Sequence, residues 1–168
     1  MNEGDIAAAG PGAGDPAPDF ALRDQHGRRI ALSSYAGASA VVVVFFPFAF
    51  TSVCSGELRM LREHRDRLAD GGAALLAISC DPMFSLRVLD DQEGLGFPLL
   101  SDFWPHGAVA SAYGVFDGVR GCARRSTFVV DRDGTVRWSV HNDMGEARDV
   151  EEYAAVLEGL SATGTDRR

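Results

Sequence analysis

The run Ala40–Phe46, "AVVVVFF", constrains this chain more than any other stretch. It is β-branched and aromatic throughout and shows no alternation between a wet and a dry face. Such a run fits a strand covered on both sides, as in a sheet sandwiched between helices. It breaks at Pro47. The continuation, "FFPFAFTSVCSGEL", brings a threonine and then a lone cysteine, Cys54, at what reads as the mouth of a helix. In α/β sheets ligands gather where a buried strand runs into a helix. Cys54 is therefore either a packed core thiol or a thiol held there to react.

The remaining elements follow from periodicity. "RRIALSSY" reads as a short strand with Ser33 or Ser34 capping a helix. Thr51 to Ala69 reads as a helix with Leu58, Leu61 and Leu68 on one face and Arg, Glu and Asp elsewhere, stopped by Gly71 and Gly72. "AALLAIS", 73–79, is a second buried strand, followed by a helix from about Phe84 to Glu93 and by "FPLLSD". "STFVVDRDGTVRWSV" reads as two strands turning through Asp133-Gly134. Val150 to Leu160 makes a last helix. A β-α-β half, a hairpin and a terminal helix give an α/β fold of thioredoxin-like plan: a central mixed sheet flanked by helices. Residues 1–15, rich in Gly, Ala and Pro, are expected to form a flexible lead, 16–161 a single domain and 162–168 a frayed tail.

The surroundings of Cys54 favour reaction. With Thr51 as N-cap, Cys54 falls at the third helical position. There unpaired backbone amides and the positive end of the helix dipole favour a thiolate, the nucleophilic form. Pro47 donates no N–H and stiffens the loop, so it can lie over the site and limit water. Glu57, three residues on, shares the helix surface with Cys54 and is sensible only with a cation between them. Arg124 and Arg125 open the strand "STFVV". If that strand runs antiparallel to "VVVVFF", its start lies beside Cys54, and alternation lets only one of the two arginines point there. A free cysteine is often buried and inert. The polar neighbours Thr51, Ser52, Ser55 and Glu57 argue against that here.

Composition narrows the function further. A net charge of −8 disfavours nucleic-acid binding, which needs a basic surface. The longest apolar run, Ala40–Phe50, falls well short of the roughly 20 residues a membrane span requires. No basic stretch followed by an apolar one opens the chain, which favours the cytoplasm. Three cysteines, an odd number, argue against a disulfide framework. His26, His64, His106 and His141 lack ligand spacing, so no metal is expected.

"PFAFTSVC" fits Pro-x-x-x-Thr-x-x-Cys, the active-site signature of the peroxiredoxins. "PAPDFALRD" resembles that family's opening segment and "GELRMLREH" its first active-site helix. "FPLLSDFWPHGAVASAYGVF" and "RRSTFVVDRDGTVRW" resemble its one-cysteine, AhpE-type members of the AhpC/TSA superfamily. The likeness runs from about residue 15 to 160. It implies a thiol-dependent peroxidase without metal or flavin. Cys54 would be the peroxidatic nucleophile, Thr51 the hydroxyl that bonds thiolate and peroxide, and Pro47 the shield. Arg125 would be the site arginine, with Arg124 pointing away, and Glu57 the acid that orients it. The substrates implied are hydrogen peroxide, organic hydroperoxides or peroxynitrite, and the role is antioxidant defence.

Cys80 and Cys122 are the candidate resolving thiols, but neither occupies a usual resolving position, so two buried structural thiols are the expectation. Recycling would then use an external reductant: a low-molecular-weight thiol with a glutaredoxin-like protein, or thioredoxin. Phe48, Phe50, Phe103 and Trp104, read as exposed, favour a homodimer through the active-site loops, with larger rings open. Three competing functions share the fold. A thiol–disulfide oxidoreductase needs Cys-x-x-Cys, and Glu57 stands where its second cysteine would be. A peroxide sensor or holdase shares the first chemical step. A structural binding domain would be indifferent to Cys54.

Overall fold

The computed structural model describes residues 10–144, 146 and 148–164. In chain order it forms β1 (Ala21–Arg23), β2 (Arg29–Ala31), β3 (Ala40–Phe45), α1 (Ser52–Asp70), β4 (Ala73–Ser79), α2 (Met83–Glu93) and β5 (Leu99–Ser101). Then come α3 (Ala108–Ala112), β6 (Phe116–Asp117), β7 (Cys122–Ala123), β8 (Ser126–Val130), β9 (Val136–His141) and α4 (Val150–Gly164). Seven strands make one mixed sheet in the order β2-β1-β5-β4-β3-β8-β9, and β6 pairs with β7 outside it.

The composition of β3 explains its central place. Val42, Val44 and Phe46 enter the apolar layer that also holds Leu58, Leu61, Leu86 and Tyr153. Val41, Val43 and Phe45 enter the opposite layer with Ile78, Tyr113 and Phe128. All six are buried. Burying a side chain of this kind contributes roughly 1.5–3 kcal/mol, so an unbroken apolar run is stable only where both faces are covered. β3 is parallel to β4, with Phe45 opposite Ile78, and antiparallel to β8, with Phe45 opposite Ser126. The ends of β3 and β4 and the start of β8 therefore lie together at one end of the sheet's strands, the end from which α1 departs.

The β8–β9 turn uses the chemistry its sequence advertises. Gly134 takes φ 81°, and Asp131 Oδ1 accepts from the amides of Asp133 and Thr135 at 2.9 and 3.0 Å. One expectation needs revision. Neither Ser33 nor Ser34 caps a helix. The segment Leu32–Tyr35 is one 3-10 turn entered from Ala31 without a side-chain cap. The Ser34 hydroxyl instead donates back to Ala31 O at 2.6 Å. α4 continues to Gly164, past the expected start of the tail. In the expected lead, the Gly14 amide donates to Val136 O at 2.8 Å; Pro16, the first residue of the expected domain, bridges to Thr135. Residues 1–9 and 165–168 lie outside the described residues.

Candidate active site

After Phe46, a five-residue arc, Pro47 to Thr51, leads from β3 into α1. Pro47 is buried, whereas Phe48, Phe50 and Thr51 are exposed. Phe50 sits at φ 68°, a left-handed conformation that costs a side-chain-bearing residue roughly 1–2 kcal/mol. Strain of this kind persists only where neighbouring structure over-determines it, and it gathers at functional sites. Thr51 has extended dihedrals and caps α1: its Oγ1 accepts from the Cys54 amide at 3.4 Å. The same hydroxyl donates to Phe48 O at 3.3 Å. Cys54 thus occupies the first turn, as the spacing predicts, but the threonine hydroxyl is turned to the loop carbonyl and not to the sulfur.

Cys54 is 1% exposed and belongs to the same apolar layer as Phe46 and Leu58, beneath α1. Burial alone would fit a packed thiol. The polar contact does not: Arg125 Nη2 donates to Cys54 Sγ at 3.3 Å. The register of β8 on β3 brings Arg125 to this spot, and alternation leaves Arg124 exposed. Arg125 is itself 1% exposed. Its Nε and Nη2 donate to Met144 O at 3.3 and 3.0 Å, and its Nη1 pairs with Glu57 Oε1. One guanidinium fork thus joins the thiol, a carboxylate and a carbonyl, which a lysine could not do.

Arg148 is the partner that sequence reasoning missed. Its Nη1 and its backbone amide donate to Glu57 Oε2 at 2.8 and 3.2 Å, and its Nη2 donates to Phe45 O. Glu57 therefore sits between two buried arginines. Burial pulls Arg148 down to about 10, a cation still at neutral pH. Nothing local announces it: Arg148 is one arginine in "GEARDV", in the segment between β9 and α4, far along the chain from Glu57.

Cys80 and Cys122 are buried and free. Cys80 follows β4 directly, and Cys122 pairs with Asp117 across the β6–β7 hairpin. Burial, followed by the charges of Asp102, Cys122 and Asp81, pushes the Cys80 thiol up to about 12. Burial and then Asp117 push Cys122 up to about 11. At about pH 8 their thiolate fractions are roughly one in ten thousand and one in a thousand. Iodoacetamide at that pH is expected to leave both unmodified in the folded chain, with at most one adduct, on Cys54, by mass spectrometry. Adducts on Cys80 or Cys122 at a comparable rate would show that their surroundings do not hold the protons.

The rim is apolar. Phe48, Phe50, Phe103 and Trp104 are 38%, 51%, 46% and 81% exposed. His106 packs edge-on to Phe103 and Phe116, and its Nε2 lies 2.7 Å from Gly121 O. His141 Nδ1 lies 2.8 Å from Ser126 Oγ. Among the described residues no group of three His, Cys, Asp or Glu could hold a metal ion, and no helix is long and apolar enough to cross a membrane.

The chain resembles known proteins along most of its length. The chain is 48% identical over 149 residues to alkyl hydroperoxide reductase E of Mycobacterium tuberculosis, covering 89% of this chain and 97% of that one. The crystal structure of peroxidoxin BcpB from Mycobacterium tuberculosis superposes with a TM-score of 0.80 at 30% identity, covering 89% of this chain and 98% of that one. Enterococcus faecalis AhpC gives a TM-score of 0.83 at 25% identity, covering 94% and 97%. The seven-stranded mixed sheet with flanking helices is the thioredoxin-like fold of these peroxiredoxin neighbours. Residues 13–139 match the AhpC/TSA family, and the chain belongs to that family.

Proposed function

We propose that this chain is a thiol-dependent peroxidase in which the Cys54 sulfur attacks the terminal oxygen of a hydroperoxide. The S–O bond forms as the O–O bond breaks. Cys54 becomes a sulfenic acid, and the departing oxygen takes a proton and leaves as water or an alcohol. One contact carries the reading: a buried guanidinium donating to a buried sulfur, Arg125 Nη2 to Cys54 Sγ at 3.3 Å. A fixed cation aimed at the reacting atom lowers the energy of charge moving from sulfur to the leaving oxygen, and a dry site strengthens it. Thr51 would turn its hydroxyl from Phe48 O to the peroxide, and Pro47 would keep water off the sulfur. Glu57, held by Arg148, would aim Arg125.

Hydrogen peroxide, organic hydroperoxides and peroxynitrite all present the required O–O bond. Two protonated, buried further thiols support recycling by an external thiol, either a low-molecular-weight thiol with a glutaredoxin-like protein or thioredoxin. Three free cysteines suit a reducing cytoplasm. The exposed aromatic rim supports a homodimer through the active-site loops, with larger rings as the other arrangement.

The test is one equivalent of peroxide followed by peptide mapping, and then steady-state turnover with a thiol reductant. Sulfenic acid at Cys54, free thiols at Cys80 and Cys122, and many turnovers are expected. A disulfide from Cys54 to Cys80 or Cys122 would replace the external-thiol route. A single oxidation followed by a stall would make the protein a sensor.

A further inference from the structure

The arc Pro47–Thr51 carries the shield, the cap and the strained Phe50; Thr51 is tied to α1 by the Cys54 and Ser55 amides, which donate to its Oγ1 and O. Among the described residues, the one hydrogen bond from its main-chain amides to the rest of the protein is Ala49 N–H to Asp81 Oδ2, at 2.9 Å. Asp81 lies just beyond β4, and the parallel pairing of Phe45 with Ile78 sets the end of β4 beside the start of the arc. The carboxylate is fixed from behind. Ser79, fully buried, donates its hydroxyl to the same Oδ2 at 2.7 Å and accepts from the Asp81 amide at 3.3 Å. The Ser101 hydroxyl donates to Asp81 O at 2.6 Å, tying the residue to β5 as well.

We propose that Asp81 is a positioning residue for the peroxide reaction: its carboxylate pins the Ala49 amide and so holds Pro47 and Thr51 in register over Cys54. A carboxylate accepting from an amide is stronger than a neutral pair, and this bond ties the middle of the arc to the end of β4. Ala49 precedes Phe50, so the pinned amide also meets the strain that the left-handed residue imposes. The inference rests on the peroxidase reading. It separates two properties of Cys54. The contact with Arg125 does not pass through Asp81. The placement of the Thr51 hydroxyl and of Pro47 around a bound peroxide does. Loss of the pin should therefore damage the reaction with peroxide while sparing reaction with a reagent that needs only the sulfur. A misplacement of about 1 Å in such a site costs up to roughly a hundredfold in rate.

Rate constants for hydrogen peroxide (stopped-flow tryptophan fluorescence) and for iodoacetamide (mass mapping of Cys54) would be measured on the full chain at one pH. Asp81→Ala is expected to lower the peroxide constant by roughly 10- to 100-fold. Its alkylation constant should hold or rise, because a looser cover admits the reagent. Asp81→Asn, whose amide oxygen can accept both bonds, should stay within about threefold of wild type. Should Asp81→Ala fail to fold, Ser79→Ala decides: a fall of about threefold or more with peroxide alone supports the pin, and no change overturns it. The proposal also fails if Asp81→Ala reacts with peroxide at the wild-type rate, or if both constants fall together, which marks general damage. A wild-type chain slow towards peroxide would instead sink the peroxidase reading itself.

Discussion

Replacing Cys54 with serine is expected to remove peroxide turnover, a fall of at least about a thousandfold, or some 4 kcal/mol of barrier. The reaction needs an atom that is a strong nucleophile and can also hold an oxygen afterwards. Sulfur does both by passing to sulfenic acid, and a serine oxygen does neither. The change is close to isosteric, so the Arg125–Glu57–Arg148 cluster should survive, and circular dichroism should show an unaltered fold. Rescue from within the chain is not expected. Cys80 and Cys122 are buried, with thiols pushed up to about 12 and about 11. The measurement is peroxide consumption under excess thiol reductant. Cys54→Ser retaining more than a few per cent of wild-type turnover would remove Cys54 from the chemistry. It would also reopen the structural-domain reading, which predicts no change at all.

The elements legible in sequence were those whose signal is local. Four consecutive valines in β3, a glycine at the β8–β9 turn and a threonine three residues before Cys54 each state their own conformation. Arg125 was within reach because two local facts combine: alternation along β8 and an antiparallel pairing that the strand order made natural. Arg148 and Asp81 were not, because their meaning lies in contacts across the fold. Arg148 meets Glu57 across 91 residues, and Asp81 meets Ala49 across 32. No period or cap marks either. The short strands β1, β6 and β7 and the five-residue α3 escaped for a related reason. Segments this brief are stabilised by what they pack against, and propensity over so few residues decides nothing. The serines after β2 show local chemistry misread: a capping residue was present, but one 3-10 turn left it no helix to cap.

Neutralising Glu57 is expected to be the most destabilising single change at the site. Glu57, Arg125 and Arg148 are 2%, 1% and 3% exposed, so two cations share one carboxylate away from water. Taking charges out of water is costly, and removing the carboxylate leaves Arg148 facing only the Phe45 carbonyl and Arg125 only the Met144 carbonyl and the Cys54 sulfur. Breaking a buried pair in this way costs about 3–5 kcal/mol, which for a chain of this size lowers Tm by roughly 6–20 °C. Glu57→Gln keeps the shape and removes only the charge. Glu151→Gln supplies the contrast. Arg67 reaches Glu151 at 2.9 Å between α1 and α4, but both are about half exposed or more, and such pairs contribute roughly 1 kcal/mol or less. Thermal and denaturant unfolding of the two variants should therefore differ severalfold in effect. Adding Arg148→Met to Glu57→Gln should recover part of the loss, since an apolar chain then replaces one stranded charge. The peroxide rate constant of Glu57→Gln should also fall by roughly tenfold or more, because Arg125 loses the partner that aims it at the sulfur. If Glu57→Gln unfolds no more readily than Glu151→Gln, the three charges are not acting as a buried unit, and another force must hold Arg125 against Cys54.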